Sequence, residues 1–231
     1  MRRWFAGMLF AMSAFTHAVG AVASASPVED LFGAVAIDNL RDVRRLIQDG
    51  VVDPNATDAK GDTLLIAAIR NDAQRVTEYL IGNTKVDIER TDAPQETALM
   101  LAAFRNQKDT VEKLIARGAE VNRTGWTALH YAASVGGADI VKILLDHSAY
   151  IDAESPNKTT PLMMAARGDH ADVCRLLVDE GADPTLINER DLNAADFATR
   201  VGDSENARWL RERADAWRAK YGTPLNTRPR P

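Results

Sequence analysis

Histidine is the side chain that most readily acts as a general base or a metal ligand near neutral pH. Beyond the first 25 residues the chain has three, His130, His147 and His170. None of them stands in a His-Glu-x-x-His zinc pattern, and the chain has neither a Gly-x-Ser-x-Gly nucleophile pattern nor a glycine-rich phosphate loop ending in lysine. The sequence therefore predicts no catalytic residue, no cofactor and no enzyme activity.

Two methionines and a histidine occupy equivalent positions, three residues after a threonine in each case: Met100, His130 and Met163. Sulfur and imidazole together would suit copper in an oxidising compartment. The three residues belong to successive structural repeats, however, and packed helices lie about 10 Å apart. Because that separation is too large for one coordination shell, we expect helix-packing methionines and no metal site.

The single cysteine, Cys174, excludes an intramolecular disulfide and any zinc or iron–sulfur site built from several cysteines of one chain. It replaces an aliphatic residue on the apolar side of a predicted helix. We therefore expect it to be a small core residue with no redox role.

The composition is that of an ordinary folded protein, with 45% hydrophobic and 26% charged residues. Lys and Arg number 28 against 33 Asp and Glu, which gives a net charge of −5. General nucleic-acid binding needs clustered positive charge, so we expect no nucleic-acid partner.

Residues 1–25 have the organisation of an export signal. Arg2 and Arg3 precede a long apolar stretch, and residues 23–25 form the small-x-small cleavage triplet Ala-Ser-Ala. We expect cleavage after this triplet and a periplasmic or secreted product with no stable membrane insertion. An uncleaved anchor is the alternative, because the apolar stretch approaches spanning length. Cleavage takes the net charge from −5 to −7, since the segment carries two arginines and no acidic residue.

The rest of the chain repeats at intervals of about 33 residues. Four segments start with a threonine followed by an alanine-rich apolar stretch, and these threonines lie 34, 30 and 33 residues apart. Weaker copies precede and follow them. The six units begin near residues 30, 63, 97, 127, 160 and 193.

Each unit carries the signals of two helices joined by a tight turn. The threonine can cap the first helix, and Pro161 occupies the favoured first helical position in one unit. The residue nine positions after each start is of a type that tolerates a left-handed backbone. In chain order these residues are Asn39, Asp72, Asn106, Gly136, Asp169 and Gly202. A second helix with paired apolar positions follows, and the residues expected to close it are Gly50, Gly118, Ser148 and Gly181.

This pattern resembles that of ankyrin repeats, which begin Gly-x-Thr-Pro-Leu-His-x-Ala-Ala and contain a Gly-Ala-Asp loop. Residues 125–133, Gly-Trp-Thr-Ala-Leu-His-Tyr-Ala-Ala, and residues 181–183 match closely. The resemblance implies an all-α solenoid of helix-turn-helix repeats with short β-hairpin loops, with about four full repeats and two capping repeats. The repeat domain would span residues 26–221, and residues 222–231 would form a flexible tail.

The resemblance also gives structural roles to two histidines, and the chain departs from the pattern in two places. His130 would hydrogen bond the neighbouring turn, and His170 occupies a column in which the family often has histidine. The third interval is three residues short, with the loss at residues 121–125, so we expect a stunted loop beside Trp126. A final helix would cover the last repeat, with core packing for both of its tryptophans, through Trp209, Leu210, Ala214, Trp217 and Tyr221.

Ankyrin-like arrays bind proteins through a concave face, which is formed by the loop tips and the exposed sides of the first helices. The resemblance places on this face the candidate partner-binding residues Arg70, Asn71, Phe104, Arg105, Trp126, Tyr131, Val135 and Arg167. Aromatic and arginine side chains dominate binding where a partner buries them, so Phe104, Arg105 and Trp126 are the expected hot spot. Alternatively, Trp126 only fills a common family position and Phe104 packs on the neighbouring helix.

The expected function is that of an exported protein-binding module. Two partner classes remain open: an envelope enzyme that the module supports, for example in peroxide defence, or a toxin that it neutralises as an immunity protein. A net acidic charge would steer a basic toxin. The alternatives are a scaffold that bridges two envelope components, with the tail as its second site, and an enzyme with an unrecognised site.

Overall fold

The computed structural model describes residues 26–222 as twelve α-helices in six consecutive pairs. The first helices of the pairs are α1 (Pro27–Ala36), α3 (Leu64–Arg70), α5 (Ala98–Phe104), α7 (Ala128–Ser134), α9 (Pro161–Arg167) and α11 (Ala194–Val201). The second helices are α2 (Leu40–Gln48), α4 (Gln74–Gly82), α6 (Lys108–Ala116), α8 (Ala138–Asp146), α10 (Ala171–Asp179) and α12 (Ser204–Tyr221). The predicted all-α repeat solenoid is confirmed. The predicted export signal and all of the predicted tail beyond Gly222 lie outside the described residues.

The loops between units form turns rather than the expected β-hairpins. In the tip before α3, for example, Asp58 N–H donates to Asp62 O at 3.0 Å, and a single β-bridge joins Thr57 to Thr63. Within residues 26–222 no strand longer than this bridge forms. The ladder stops at this bridge because α3 begins directly after Thr63, at Leu64.

The repeated threonines begin the first helices as predicted. The Thr63 hydroxyl accepts from Ile66 N–H at 3.2 Å, and Thr97 accepts from Met100 N–H at 3.2 Å. Thr160 makes the same cap with Met163 N–H at 3.4 Å. Each bond satisfies a backbone donor that a helix start leaves free.

The predicted left-handed turns form in five of the six units, at φ values of 55° to 90°. In the first unit the left-handed residue is Asp38, with φ of 52°, and the prediction for Asn39 is wrong. Asn39 instead has φ of −83° and caps α2. Asp38 lies 34 residues before Asp72, so the first unit is one residue longer than the repeat length assumed.

First helices stack on first helices along the array, and the second helices form an outer layer. The stacking surfaces of the central units are fully buried alanines, Ala102, Ala103, Ala132, Ala133, Ala165 and Ala166. Small side chains let the helices approach closely, and one continuous core runs through all six units. Cys174 is fully buried in this core, as predicted, and burial raises the pKa of its thiol to about 11.

The last helix covers the final repeat as expected, but only one of its tryptophans packs on the core. Leu210 and Ala214 are buried, and Trp209 packs partly against the core cluster. Trp217 lies outside that cluster and contacts Tyr221, with 4.6 Å between ring centroids. The expectation is wrong for Trp217 because α12 has 18 residues and outruns the eight-residue α11 beneath it. Of the helices described, none is long and apolar enough to cross a membrane.

The His170 ring is held between the turns of two units. Its Nε2 lies 3.2 Å from the Ser134 carbonyl oxygen. A Cβ placed on Gly168 would lie 2.6 Å from His170 Cδ2 and 2.7 Å from that same carbonyl oxygen. Gly168 is therefore required by close approach, since a backbone carbonyl cannot swing away as a flexible side chain can.

Gly168→Ala should lower the free energy of unfolding by roughly 1–3 kcal/mol, the usual cost of overpacking. Gly33, inside α1, is the matched control, because a Cβ there meets nothing within 4 Å. Gly33→Ala should raise stability by about 0.5–1 kcal/mol through helix propensity. Urea denaturation followed by circular dichroism measures both, and equal effects would contradict the close-approach explanation.

Candidate functional site

An apolar pocket of about 220 Å³ opens near the middle of the concave face. Phe104, at the end of α5, is 48% exposed and stands edge-on to Tyr131 of α7, with 6.0 Å between ring centroids. Trp126 stands edge-on to His130 at 5.2 Å. Three of the predicted partner-binding residues, Phe104, Trp126 and Tyr131, thus line one opening, which we call the apolar pocket.

The shortened loop before α7 places Trp126 at the rim of this pocket. The other four loop tips each span five residues closed by a backbone bond, such as Asp92 N–H to Glu96 O at 3.2 Å and Ser155 N–H to Thr159 O at 3.1 Å. Of the tips in the described chain, the one at residues 122–126 lacks this bond. The predicted stunted loop is confirmed, and Trp126 occupies its last position, directly before Thr127.

His130 forms a wall of the pocket and is a structural residue. Its Nδ1 accepts from Thr127 N–H at 3.2 Å, so Nε2 carries the proton and donates to the Thr159 carbonyl oxygen at 2.9 Å. The predicted bond to the neighbouring turn is confirmed. Burial lowers the pKa of His130 to about 4, so the ring is neutral near pH 7.

The N-terminal side of the pocket is bounded by an acidic cluster, formed by Asp62, Asp92 and Glu96 around Arg70. The Arg70 guanidinium hydrogen bonds Asp92, lies 3.3 Å from Glu96 and lies 3.2 Å from Asp62. Burial raises the pKa of Asp62. Three carboxylates against one guanidinium leave this side of the face negatively charged.

Tyr131 joins the apolar pocket to the acidic cluster. Its hydroxyl donates to Glu96 Oε1 at 2.8 Å. Burial, followed by the Glu96 carboxylate, raises the pKa of Tyr131, so the hydroxyl stays protonated and keeps donating. The ring is thereby fixed in orientation against Phe104.

The other predicted residues lie around the pocket without lining it. Asn71 and Arg105 are exposed, and the Asn71 amide donates to the Ala67 carbonyl oxygen at 2.8 Å. Val135 is half-buried and ends α7. Arg167 is exposed and lines a second pocket, which shares Trp126 with the first.

Two further arginines of that second pocket, Arg190 and Arg200, were missed because the last unit was interpreted as a cap. The signal was present in the repeat register. Arg200 lies seven residues after the start of its unit, as Arg70, Phe104 and Arg167 do. In the part of the chain described, no group of three or more His, Cys, Asp or Glu could hold a metal ion.

A family model described as "Ankyrin repeats (3 copies)" matches overlapping segments that together run from residue 31 to residue 220. The chain belongs to the ankyrin-repeat family. Ankyrin repeats are protein–protein interaction modules, and that is the level of function that membership establishes.

The chain covers only a small part of the curated relatives it matches. The chain is 31% identical over 126 residues to α-latrocrustotoxin-Lt1a of Latrodectus tredecimguttatus and 34% identical over 127 residues to neurogenic locus notch homolog protein 1 of Xenopus tropicalis. These matches cover 53% and 54% of the chain but 9% and 5% of those relatives. A putative ankyrin repeat-containing protein of Treponema pallidum is 34% identical over 108 residues, 45% of this chain and 36% of that one.

Among solved structures, a similar chain occurs in the complex of the predatory endopeptidase Bd0816 from Bdellovibrio bacteriovorus with immunity protein Bd3460. It superimposes with a TM-score of 0.69 at 26% identity, and the match covers 79% of this chain and 96% of that one.

Arg70→Met should destabilise the ankyrin array by about 2 kcal/mol at pH 7, because Asp92, whose side chain is fully buried, loses its cation. Arg75→Met is the matched control, since the Arg75 side chain is 68% exposed in its pair with Asp38 and the pair should contribute under about 1 kcal/mol.

The free energy of unfolding lost through Arg70→Met should be smaller in the double variant that also carries Asp92→Asn. It should also be smaller as the pH falls toward 4. Uncompensated carboxylates bind protons more readily in the folded state, so acidification relieves the repulsion. Urea melts of all four proteins at pH 7 and pH 4 provide the measurement. An unchanged loss in both cases would mean that Arg70 stabilises by packing alone.

Proposed function

We propose that this chain is an exported ankyrin-repeat module that captures one protein partner in the apolar pocket, and that the partner is a toxin-like enzyme which the module neutralises. The observation that carries the proposal is the half-exposed Phe104 ring, held edge-on to Tyr131 beside Trp126 around an apolar opening. Apolar side chains that are grouped around one opening, and not scattered singly, are typical of binding sites.

The pocket has the properties of a binding hot spot. Its aromatic rings are oriented by packing and by the Tyr131–Glu96 hydrogen bond, so little conformational entropy is lost when a partner binds. It also lies between polar and charged surfaces that can exclude water around it, as surfaces surrounding hot spots do.

The similar chain in the endopeptidase and immunity-protein complex supports neutralisation over support of an enzyme. The match covers nearly the whole of that chain, so a binding role for the array needs no additional domain. Membership of the ankyrin-repeat family is by itself compatible both with neutralising a toxin and with supporting an enzyme.

Export is supported by the basic, apolar and small-residue order of residues 1–25. The first helix also needs nothing before Ser26, because Ser26 N–H donates to Glu29 Oε2 at 2.8 Å and Ser26 Oγ accepts from Glu29 N–H at 3.2 Å. We expect the exported protein to begin at Ser26, which N-terminal sequencing of the protein from the envelope or medium tests. An intact N-terminus in the cytoplasmic fraction would contradict export.

The binding role is tested by affinity capture from the native host's envelope fraction, with residues 26–231 as bait. The comparison bait carries Phe104→Ala and Trp126→Ala. Removal of two hot-spot aromatics should cost at least about 3 kcal/mol, a loss of more than 100-fold in affinity, with helical circular dichroism and melting nearly unchanged. The matched control is Tyr150→Ala, an exposed aromatic away from the pocket, at 69% exposure.

One stoichiometric partner that is lost with the double variant and retained with Tyr150→Ala would support the proposal. The bait should then inhibit that partner's activity, whereas stimulation would mean enzyme support. Capture of the same proteins by wild type and double variant would remove the apolar pocket as the site.

A further inference from the structure

A second pocket, of about 510 Å³, lies on the C-terminal side of Trp126. All three charged side chains that line it are arginines, Arg167, Arg190 and Arg200. Trp126 and Phe197 also contribute to its lining. We call it the arginine pocket. It shares Trp126 with the apolar pocket, so the two form a continuous surface.

The three guanidinium groups are exposed, and among residues 26–222 none of them has a hydrogen bond or ion pair to a carboxylate. Arg70 has the same register position as Arg167 and Arg200 but shows the opposite arrangement, because three carboxylates surround it. A chain with a net charge of −5 thus gathers in one pocket three cations that form no ion pair within the described residues.

The concave face is therefore electrically polarised along the array. The acidic cluster lies on the N-terminal side of the apolar pocket, where Tyr131 contacts Glu96. The arginine pocket lies on the C-terminal side, where Trp126 is shared. A bound segment with negative charge is attracted to one end and repelled by the other, which fixes its direction.

We propose that the arginine pocket binds carboxylates of an acidic segment of the protein partner, while an adjacent aromatic or aliphatic side chain of that segment fills the apolar pocket. This rests on the proposed function and names the chemistry of its partner. A guanidinium group presents two parallel donors that match a carboxylate, so each arginine can form a bidentate pair.

Protein carboxylates fit the surface better than the phosphates of a nucleic acid. The acidic cluster beyond the apolar pocket would repel a phosphate backbone that continued along the face, whereas a peptide carries negative charge only at its acidic side chains. The net charge, which favours a basic partner at long range, is a property of the whole molecule and does not describe this contact.

Selection of random twelve-residue peptides displayed on phage against the full exported chain, residues 26–231, tests the proposal. The pocket variant carries Arg167→Gln, Arg190→Gln and Arg200→Gln. The control variant carries Arg41→Gln, Lys142→Gln and Arg208→Gln, which remove the same charge from exposed sites elsewhere. Thermal melting verifies folding, and Arg200→Gln alone replaces the triple variant if that variant melts early.

Wild type and control should enrich peptides with Asp or Glu next to an aromatic or aliphatic residue, and the pocket variant should not. The most enriched peptide, made synthetically, should bind the pocket variant at least about 10-fold more weakly by fluorescence anisotropy, and its Asn and Gln counterpart should bind wild type equally weakly.

Enrichment without acidic residues, equal binding to the pocket variant, or displacement of the peptide by single-stranded DNA at equal phosphate and carboxylate concentration would overturn the proposal. Its failure is distinguishable from that of the proposed function. If binding of the peptides or of a captured partner depends on Phe104 and Trp126 but not on the arginines, the apolar pocket remains a binding site. Only the proposed acidic segment of the partner is then ruled out.

Discussion

Stacking between neighbouring units is the interaction on which the rest of this structure depends. Apart from α12, the helices have only seven to ten residues, and a pair of such helices has too little apolar surface to fold alone. Each unit here buries its apolar side against a neighbouring unit. The alanines of the first helices make this possible, since small side chains let successive helices approach closely. His130 and His170 add polar links between units, because each ring contacts a carbonyl oxygen of a neighbouring unit.

The binding face is a direct consequence of that stacking. Residues at one register position of every unit align in a column, so a short list of substitutions determines the chemistry of the whole surface. In the last five units, the residues seven positions after the start are Arg70, Phe104, Ser134, Arg167 and Arg200. Together with the loop tips beside them, these five residues give a binding face that is aromatic in the middle and charged on either side.

The shortened loop shows how one departure from periodicity becomes a functional feature. Three residues are missing at one tip, and the tryptophan at its end faces both pockets instead of closing a regular turn. The units on either side keep the regular turn, so the core is undisturbed. A repeat array can change a loop in this way because most of its stability comes from the stacked helices.

Periodicity, caps and turn residues specify the fold locally, which is why the sequence by itself determined the number of units, the helix starts at the threonines and most of the left-handed turns. The error at Asn39 arose because the first unit has 34 residues and not the 33 assumed for it, and no local signal marks that extra residue. Phe104, Trp126 and Tyr131 could be assigned to the concave face for the same reason, since each has a defined register position.

Only the tertiary structure decided which of those side chains are engaged and which are free. Arg70 and Arg167 have the same register position, yet Arg70 meets Asp92 and Glu96 of the next unit, whereas the corresponding tip positions beside Arg167 are the neutral residues Asn188 and Leu192. The partners of Arg70 lie 22 and 26 residues further along the chain. Contacts over such separations depend on the distance between stacked units, and tertiary packing alone determines that distance.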